Sequence, residues 1–191
     1  MSNVDQILTH NQAFVENKEY ESYLTDKYPD KKMVILTCMD TRLVELLPKA
    51  MNLRNGDAKI IKNAGAIITH PFGNIMRSIL VAIHALEAEE VFVVGHYECG
   101  MVGINAQKIV EKIKLSGVQP HTMSTLANAG IDVLRWLEGF NSVREGVDTS
   151  VDIIRKHPLM PPATLVHGMI IHPRTGKLEL VNDGYAYNQS L

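Results

Sequence analysis

Met33-Val34-Ile35-Leu36-Thr37-Cys38-Met39-Asp40-Thr41-Arg42 decides how this chain reads. Its first six residues form an apolar run with no polar alternation. That is the pattern of a strand covered on both faces, as in a parallel sheet. Two more runs of this kind follow. Lys59-Ile60-Ile61 leads into Asn63-Ala64-Gly65-Ala66, and Val91-Phe92-Val93-Val94-Gly95 leads into His96. Between the first two runs, Leu43 to Met51 reads as a short helix despite Pro48. Between the second and third, Ile75, Ile79, Leu80, Ile83 and Leu86 give helical spacing over Asn74 to Ala88. Strand, helix, strand, helix, strand is the order of a parallel α/β sheet.

Beyond Gly100 a helical stretch runs through Lys114 and breaks at Ser116-Gly117 and Pro120. Met123 to Leu137 and Val143 to Lys156 read as two further helices. Thr164 to Ile171 is a fourth strand. Pro173 to Gly176 is a turn, and Lys177 to Val181 returns as a hairpin strand. The expected fold is therefore α/β, with a mostly parallel central sheet of four strands, a C-terminal antiparallel hairpin strand and flanking helices. The whole of 1–191 reads as a single domain. Residues 1–32 form a helical arm within it. Ser2 can cap the first helix with Asp5 in its first turn, but Val4, Ile7, Leu8, Phe14 and Val15 make only a patchy stripe. Polar residues dominate 16–32, so the arm is expected to pack on a neighbouring subunit.

Composition bounds the function. The chain has 191 residues, 46% hydrophobic and 21% charged, which is ordinary globular composition. A formal charge of −2 and a pI near 6.4 argue against a nucleic-acid binder built on a broad basic surface. The longest apolar runs, Met33 to Leu36 and Ile79 to Ile83, fall far short of a bilayer span, so no membrane partner is expected. The N-terminal residues show no basic segment followed by an apolar core. With only two cysteines, a disulfide-stapled scaffold is excluded, and a reducing cytoplasm is the expected location.

In open parallel sheets the working loops lie past the carboxyl ends of the strands. Three such loops are readable here: Cys38 to Arg42, Asn63 to Ala66, and His96 to Gly100. Both cysteines, one histidine and an Asp/Arg pair thus fall at one edge of one sheet. His96 and Cys99 are three residues apart where a strand gives way to a helix, a spacing that points two side chains the same way. Cys38 supplies a third donor from an adjacent strand end. Two sulfurs and one nitrogen suit zinc, and three protein ligands leave the fourth position open, as catalytic zinc requires. Either cysteine alone is better read as a small buried apolar residue; the coincidence favours the metal. Asp40 and Arg42 are a solvated salt bridge in the blander reading. After a buried strand they would instead be partly desolvated, with Arg42 holding Asp40 ionised. His10, His84, His121, His157, His167 and His172 show no ligand spacing with a cysteine; His70, before Pro71 and near Ala66, could approach the site, but surface placement is expected.

These motifs, C-M-D-T-R-L at 38–43, N-A-G-A at 63–66 and G-H-Y-E-C-G-M at 95–101, resemble those of the β-class carbonic anhydrases, in particular the short prokaryotic members. The likeness runs from Met33 to the C-terminal strand pair. It implies that Cys38, His96 and Cys99 bind one zinc ion per subunit and that Asp40 and Arg42 are the catalytic dyad. Asp40 would become a fourth ligand in a closed resting form. Gly100 would lie near the substrate pocket; by their small or apolar character alone, Ala64, Gly65, Ala66 and Ile67 are read as walls of that pocket, against the blander reading of turn residues. The implied reaction is reversible hydration of carbon dioxide to bicarbonate and a proton by a zinc-bound hydroxide, in a homodimer or dimer of dimers whose N-terminal arm embraces the partner. Thr41 stands where the family usually has Ser, Glu98 where Asp is common, and Tyr97 where Thr is frequent; the bulk of Tyr97 would narrow the pocket mouth. The alternatives are carbon disulfide or carbonyl sulfide hydrolysis on the same site, or a non-enzymatic zinc or thiol sensor. A dinucleotide-binding domain ranks last, because no G-x-G-x-x-G follows the first strand.

Overall fold

The computed structural model describes residues 1–189. Five strands form one sheet: β1 (Met33–Cys38), β2 (Ala58–Asn63), β3 (Glu90–His96), β4 (Leu165–Ile171) and β5 (Leu178–Asn182). Their spatial order is β2-β1-β3-β4-β5. The first four are parallel and β5 runs antiparallel to β4. This is the α/β fold that the apolar runs dictate.

Alternate residues of the central strands feed two separate cores. Val34, Leu36, Val91, Val93, Val166 and Ile170 face one side. There they meet α3 (Asn74–Ala85) and α7 (Val143–Arg155), which bury Met76, Ile79, Ala82, Val147, Val151 and Ile154. Ile35, Phe92, Val94 and Ile171 face the other side, against Leu43 and Leu47 of α2 (Leu43–Ala50). Because both faces are buried, no polar alternation is needed in β1 or β3. β2 is an edge strand, and its exposed residues alternate accordingly.

Three helix boundaries differ from the sequence expectation. The helix from Asn74 stops at Ala85, because Glu87 adopts a left-handed φ of 59° and turns the chain into β3. The stretch after Gly100 is not helical until α4 (Ala106–Leu115). Met123 to Leu137 is two helices rather than one, α5 (His121–Asn128) and α6 (Val133–Leu137), separated by a turn with Gly130 at φ 80°. These three helices form an excursion tied at its base. Val102 pairs with Phe140, Gly103 N donates to Phe140 O at 3.0 Å, and Phe140 N donates to Met101 O at 3.3 Å.

At the termini, α1 (Asn3–Glu16) starts at the expected cap. Ser2 and Asp5 form a reciprocal capping box. No side chain of α1 is buried in its own subunit, and Val4, Ile7, Leu8 and Val15 are all more than half exposed. A helix absent from the sequence reading, α8 (Gly184–Asn188), closes the described chain. Gly184 N donates to the buried His167 Nδ1 at 3.1 Å, and Tyr185 donates to Glu90 at 2.7 Å. Among the described residues no helix is long and apolar enough to cross a membrane.

One close approach sets where β3 ends. A Cβ at Gly95 would stand 2.8 Å from both Val143 Cγ1 and Val147 Cγ2 of α7. Gly95→Ala should therefore push α7 outward and cost about 1–3 kcal/mol in urea denaturation. An unchanged midpoint would show that α7 does not rest on this strand.

Candidate metal centre

Strand register brings the three loops level. Cys38 pairs with Asn63, Thr37 with Val94, and His96 with Ile171, so β1, β2, β3 and β4 finish at the same edge. The buried Thr37 hydroxyl donates to Val94 O at 3.0 Å and ties β1 to β3 just before that edge.

Cys38 Sγ, Cys99 Sγ and a ring nitrogen of His96 lie within 4.8 Å of one another, and all three residues are buried. Among the described residues no other trio of His, Cys, Asp and Glu converges this way. Contrary to the expected strand-to-helix junction, His96 and Cys99 do not converge on a helix; Tyr97 and Glu98 make a tight turn, with Glu98 at a left-handed φ of 59°. A left-handed non-glycine residue is uncommon and holds only where its surroundings fix it.

The donor atoms are prepared for a cation. His96 Nδ1 lies 2.8 Å from Tyr97 O, so it carries the ring proton and donates it to that carbonyl. His96 Nε2 then presents a bare lone pair, and it is buried without a hydrogen-bond partner. Cys38 Sγ accepts the Gly65 N–H at 3.4 Å. The Cys99 thiol also donates to Cys38, which holds Cys38 well below the ordinary thiol range against the opposing effect of burial. The same bond holds Cys99 above that range. A tetrahedral zinc site sets its sulfurs ~3.8 Å apart, so the donor set fits zinc with small adjustments.

Beside the trio stands Asp40. Its Oδ2 is 3.8 Å from His96 Nε2. Arg42 grips the carboxylate three times: its backbone N reaches Oδ1 at 2.9 Å, Nε reaches Oδ1 at 3.0 Å, and Nη2 reaches Oδ2 at 2.8 Å. The Arg42 hydrogen bonds pull the Asp40 pKa down to about 2. Asp40 is thus ionised across the physiological range and engaged with Arg42.

The loop at 64–66 closes the apolar side. Gly65 has φ 85°, and a Cβ there would meet Phe140 Cε1 at 2.8 Å and Met101 Cγ at 3.1 Å. Phe140 and Met101 both pack into the cluster that holds Cys38 and Cys99. Beyond Phe140 lies a cleft of about 630 Å³ that includes Ile67, Ile68 and Ile104 in its walls and touches none of the three donors. Gly100 borders open space. Tyr97 does not lean over the trio; its hydroxyl donates to Glu179 Oε2 of β5 at 2.7 Å.

A profile of the family described as carbonic anhydrase matches residues 33–178. The chain belongs to the β-carbonic anhydrase family. It is 60% identical over 185 residues to YvdA of Bacillus subtilis, a protein provisionally named a carbonic anhydrase; the match covers 97% of this chain and 94% of YvdA. A second B. subtilis protein with a name of the same standing, YtiB, is 56% identical over 97% of this chain and 99% of its own. The crystal structure of the β-carbonic anhydrase isoform I of Trichomonas vaginalis superposes with a TM-score of 0.87 at 34% identity, covering 97% of this chain and all of that one. The family match begins at Met33 and ends at Leu178, so it spans every strand start and the whole converging trio.

Phe140 and Arg174 join this neighbourhood without a signal in the sequence, whereas Glu98 and Met101 stand in the 95–101 motif with no role assigned to them there. Gly65→Ala tests the support under Cys38. The strained φ and the contact with Phe140 should together cost about 1–3 kcal/mol, read as a lower thermal midpoint and a lower zinc content. If both values stayed at the wild-type level, Gly65 would be only a loop residue.

Proposed function

We propose that this chain reversibly hydrates carbon dioxide to bicarbonate and a proton, with one zinc ion per subunit held by Cys38, His96 and Cys99. One observation carries the reading: two buried sulfurs and a partnerless imidazole nitrogen converge beside a carboxylate that Arg42 keeps ionised. The names borne by relatives at 60% and 56% identity support carbon dioxide as the substrate. A carbon disulfide hydrolase of Acidithiobacillus thiooxidans is more distant, at 28% identity over 78% of this chain. Zinc bound by such donors supplies Lewis acidity that brings water ionisation toward neutral pH.

The chain's own residues supply the rest. Asp40 Oδ2 accepts a hydrogen bond from the reacting water and so orients it. With its pKa near 2, Asp40 is too weak a base to keep the proton at neutral pH, so the proton passes to bulk buffer. Arg42 fixes both carboxylate oxygens and prevents Asp40 from turning away. A closed resting form, with Asp40 as fourth ligand, would have to give up the 2.8 Å bond to Arg42 Nη2; the paired arrangement is the working one. Carbon dioxide offers no strong hydrogen-bonding handle. Gly100, with open space beside it, and the small Ala64 leave it room at the substrate pocket, while the space beside Gly65 is filled by Phe140 and Met101. Two free thiols that must stay reduced to serve as ligands support a cytoplasmic location.

The assembly is a homodimer or a dimer of dimers. Residues 1–32 are the arm by which one subunit packs on the other, because α1 leaves Val4, Ile7, Leu8 and Val15 without cover in its own subunit.

Metal analysis beside stopped-flow hydration tests the activity. About one zinc per chain and measurable turnover are expected, with zinc lost in Cys38→Ser. Asp40→Ala and Arg42→Ala should each keep zinc and lose about 10²-fold in kcat. Zinc lost from Arg42→Ala, or faster turnover of carbon disulfide than of carbon dioxide, would overturn the assignment. The double change Ile7→Glu, Leu8→Glu tests the arm by sedimentation. It should give folded monomers, and an unchanged mass would remove the arm from the interface.

A further inference from the structure

The C-terminal hairpin lies against the turn that carries His96 and Cys99. Its own turn contributes Arg174, whose Nη2 is 3.1 Å from Glu98 Oε1. The other carboxylate oxygen, Glu98 Oε2, accepts from Arg42 Nη1 at 2.9 Å. The Glu98 carbonyl also accepts from Arg42 Nη2 at 3.3 Å. A single chain of contacts thus runs Asp40, Arg42, Glu98, Arg174. One residue earlier, Tyr97 donates to Glu179 of β5, and Glu179 in turn pairs with Arg144 of α7 at 3.5 Å. Tyr97 N donates to Ile171 O, at the end of β4, at 3.1 Å.

From this geometry we infer that the hairpin is a positioning clamp: Arg174 and Glu179 hold the ligand turn at Glu98 and Tyr97, and Arg174 acts through Glu98 to fix the guanidinium of Arg42 on Asp40. The inference rests on the proposed hydration for its kinetic consequence, but not for its structural one.

Two physical points favour it. Arg42 divides its donors between partners on opposite sides: Nε and Nη2 serve Asp40, while Nη1 and Nη2 serve Glu98. Without the Glu98 side, a guanidinium this accessible (its side chain is 38% exposed) has solvent to turn toward. Second, Glu98 holds a left-handed φ of 59° without being glycine, which requires surroundings that fix it. Arg42, which holds both the Glu98 carbonyl and one carboxylate oxygen, is such a surrounding, and Arg174 orients the other carboxylate oxygen. Arg174 is itself 73% exposed, and exposed pairs contribute little to folding. Its role is therefore to orient, and its loss should leave stability intact.

Arg174→Ala, Arg174→Lys, Glu98→Gln and the Arg174→Ala, Glu98→Gln double variant of the full zinc-loaded chain test the clamp. Two readouts are needed: kcat and KM for hydration, and the 15N resonance of the Arg42 Nε–H group. Arg174→Ala should lower kcat roughly two- to fivefold with KM, zinc content and Tm unchanged. It should also broaden or shift the Arg42 resonance. Arg174→Lys, which keeps the charge, should restore most of kcat. Adding Arg174→Ala to Glu98→Gln should have no further effect, because the two act in series. A wild-type kcat with an unmoved Arg42 resonance, or independent additive losses, would overturn the clamp. Should the wild-type chain fail to hydrate carbon dioxide, the proposed function falls, and the resonance still tests the clamp by itself.

Discussion

Everything at the candidate metal centre depends on four parallel strands ending level. Two sulfurs and one nitrogen can share an ion only if β1 and β3 run in register to the same edge, with Cys38 on one end and His96 on the other. Backbone pairing from Met33 to Thr37 against Glu90 to Val94 enforces this, and the Thr37 hydroxyl locks the last step. A slip of one residue would turn every side chain to the opposite face. It would separate Cys38 from His96 and would also drive Val34 and Leu36 out of their core. The same apolar burial that forms the sheet therefore aims the donors.

The local chemistry runs against stability and is held by its surroundings. A buried imidazole nitrogen with no partner costs about 1–3 kcal/mol, and His96 Nε2 is such an atom. Glu98 and Ala66 add left-handed backbone at non-glycine positions, with φ of 59° and 58°. These costs make sense together if a cation is the missing partner of the trio. Around them the fold is conservative: apolar strands, capped helices, and a charge chain that runs from Asp40 out to the hairpin turn.

Much of this was readable from the residues. β1 and β3 announce themselves because burial on both faces removes polar alternation, and β5 because Pro173 to Gly176 is a turn between two strand patterns. The gathering of Cys38, Asp40, Arg42, His96 and Cys99 follows from strand order alone. Other features were not readable, for identifiable reasons. The 96–99 spacing suggests a helix, but a left-handed turn serves the same end. Met123 to Leu137 has apolar residues throughout, which hides the break at Gly130. Helix α8 is five residues long and is held by the tertiary contacts of Gly184 with His167 and Tyr185 with Glu90, which have no local signature. Arg174 and Phe140 reach the centre across long sequence separations, and composition gives no hint of such contacts.

The measurement that bears most directly on the shared-ion geometry is X-ray absorption at the zinc edge on the zinc-loaded protein. The account predicts two sulfur scatterers at about 2.3 Å and two lighter nitrogen or oxygen scatterers at about 2.0 Å. A shell with one sulfur or none would mean that Cys38 and Cys99 do not grip the same ion, and the account would be wrong.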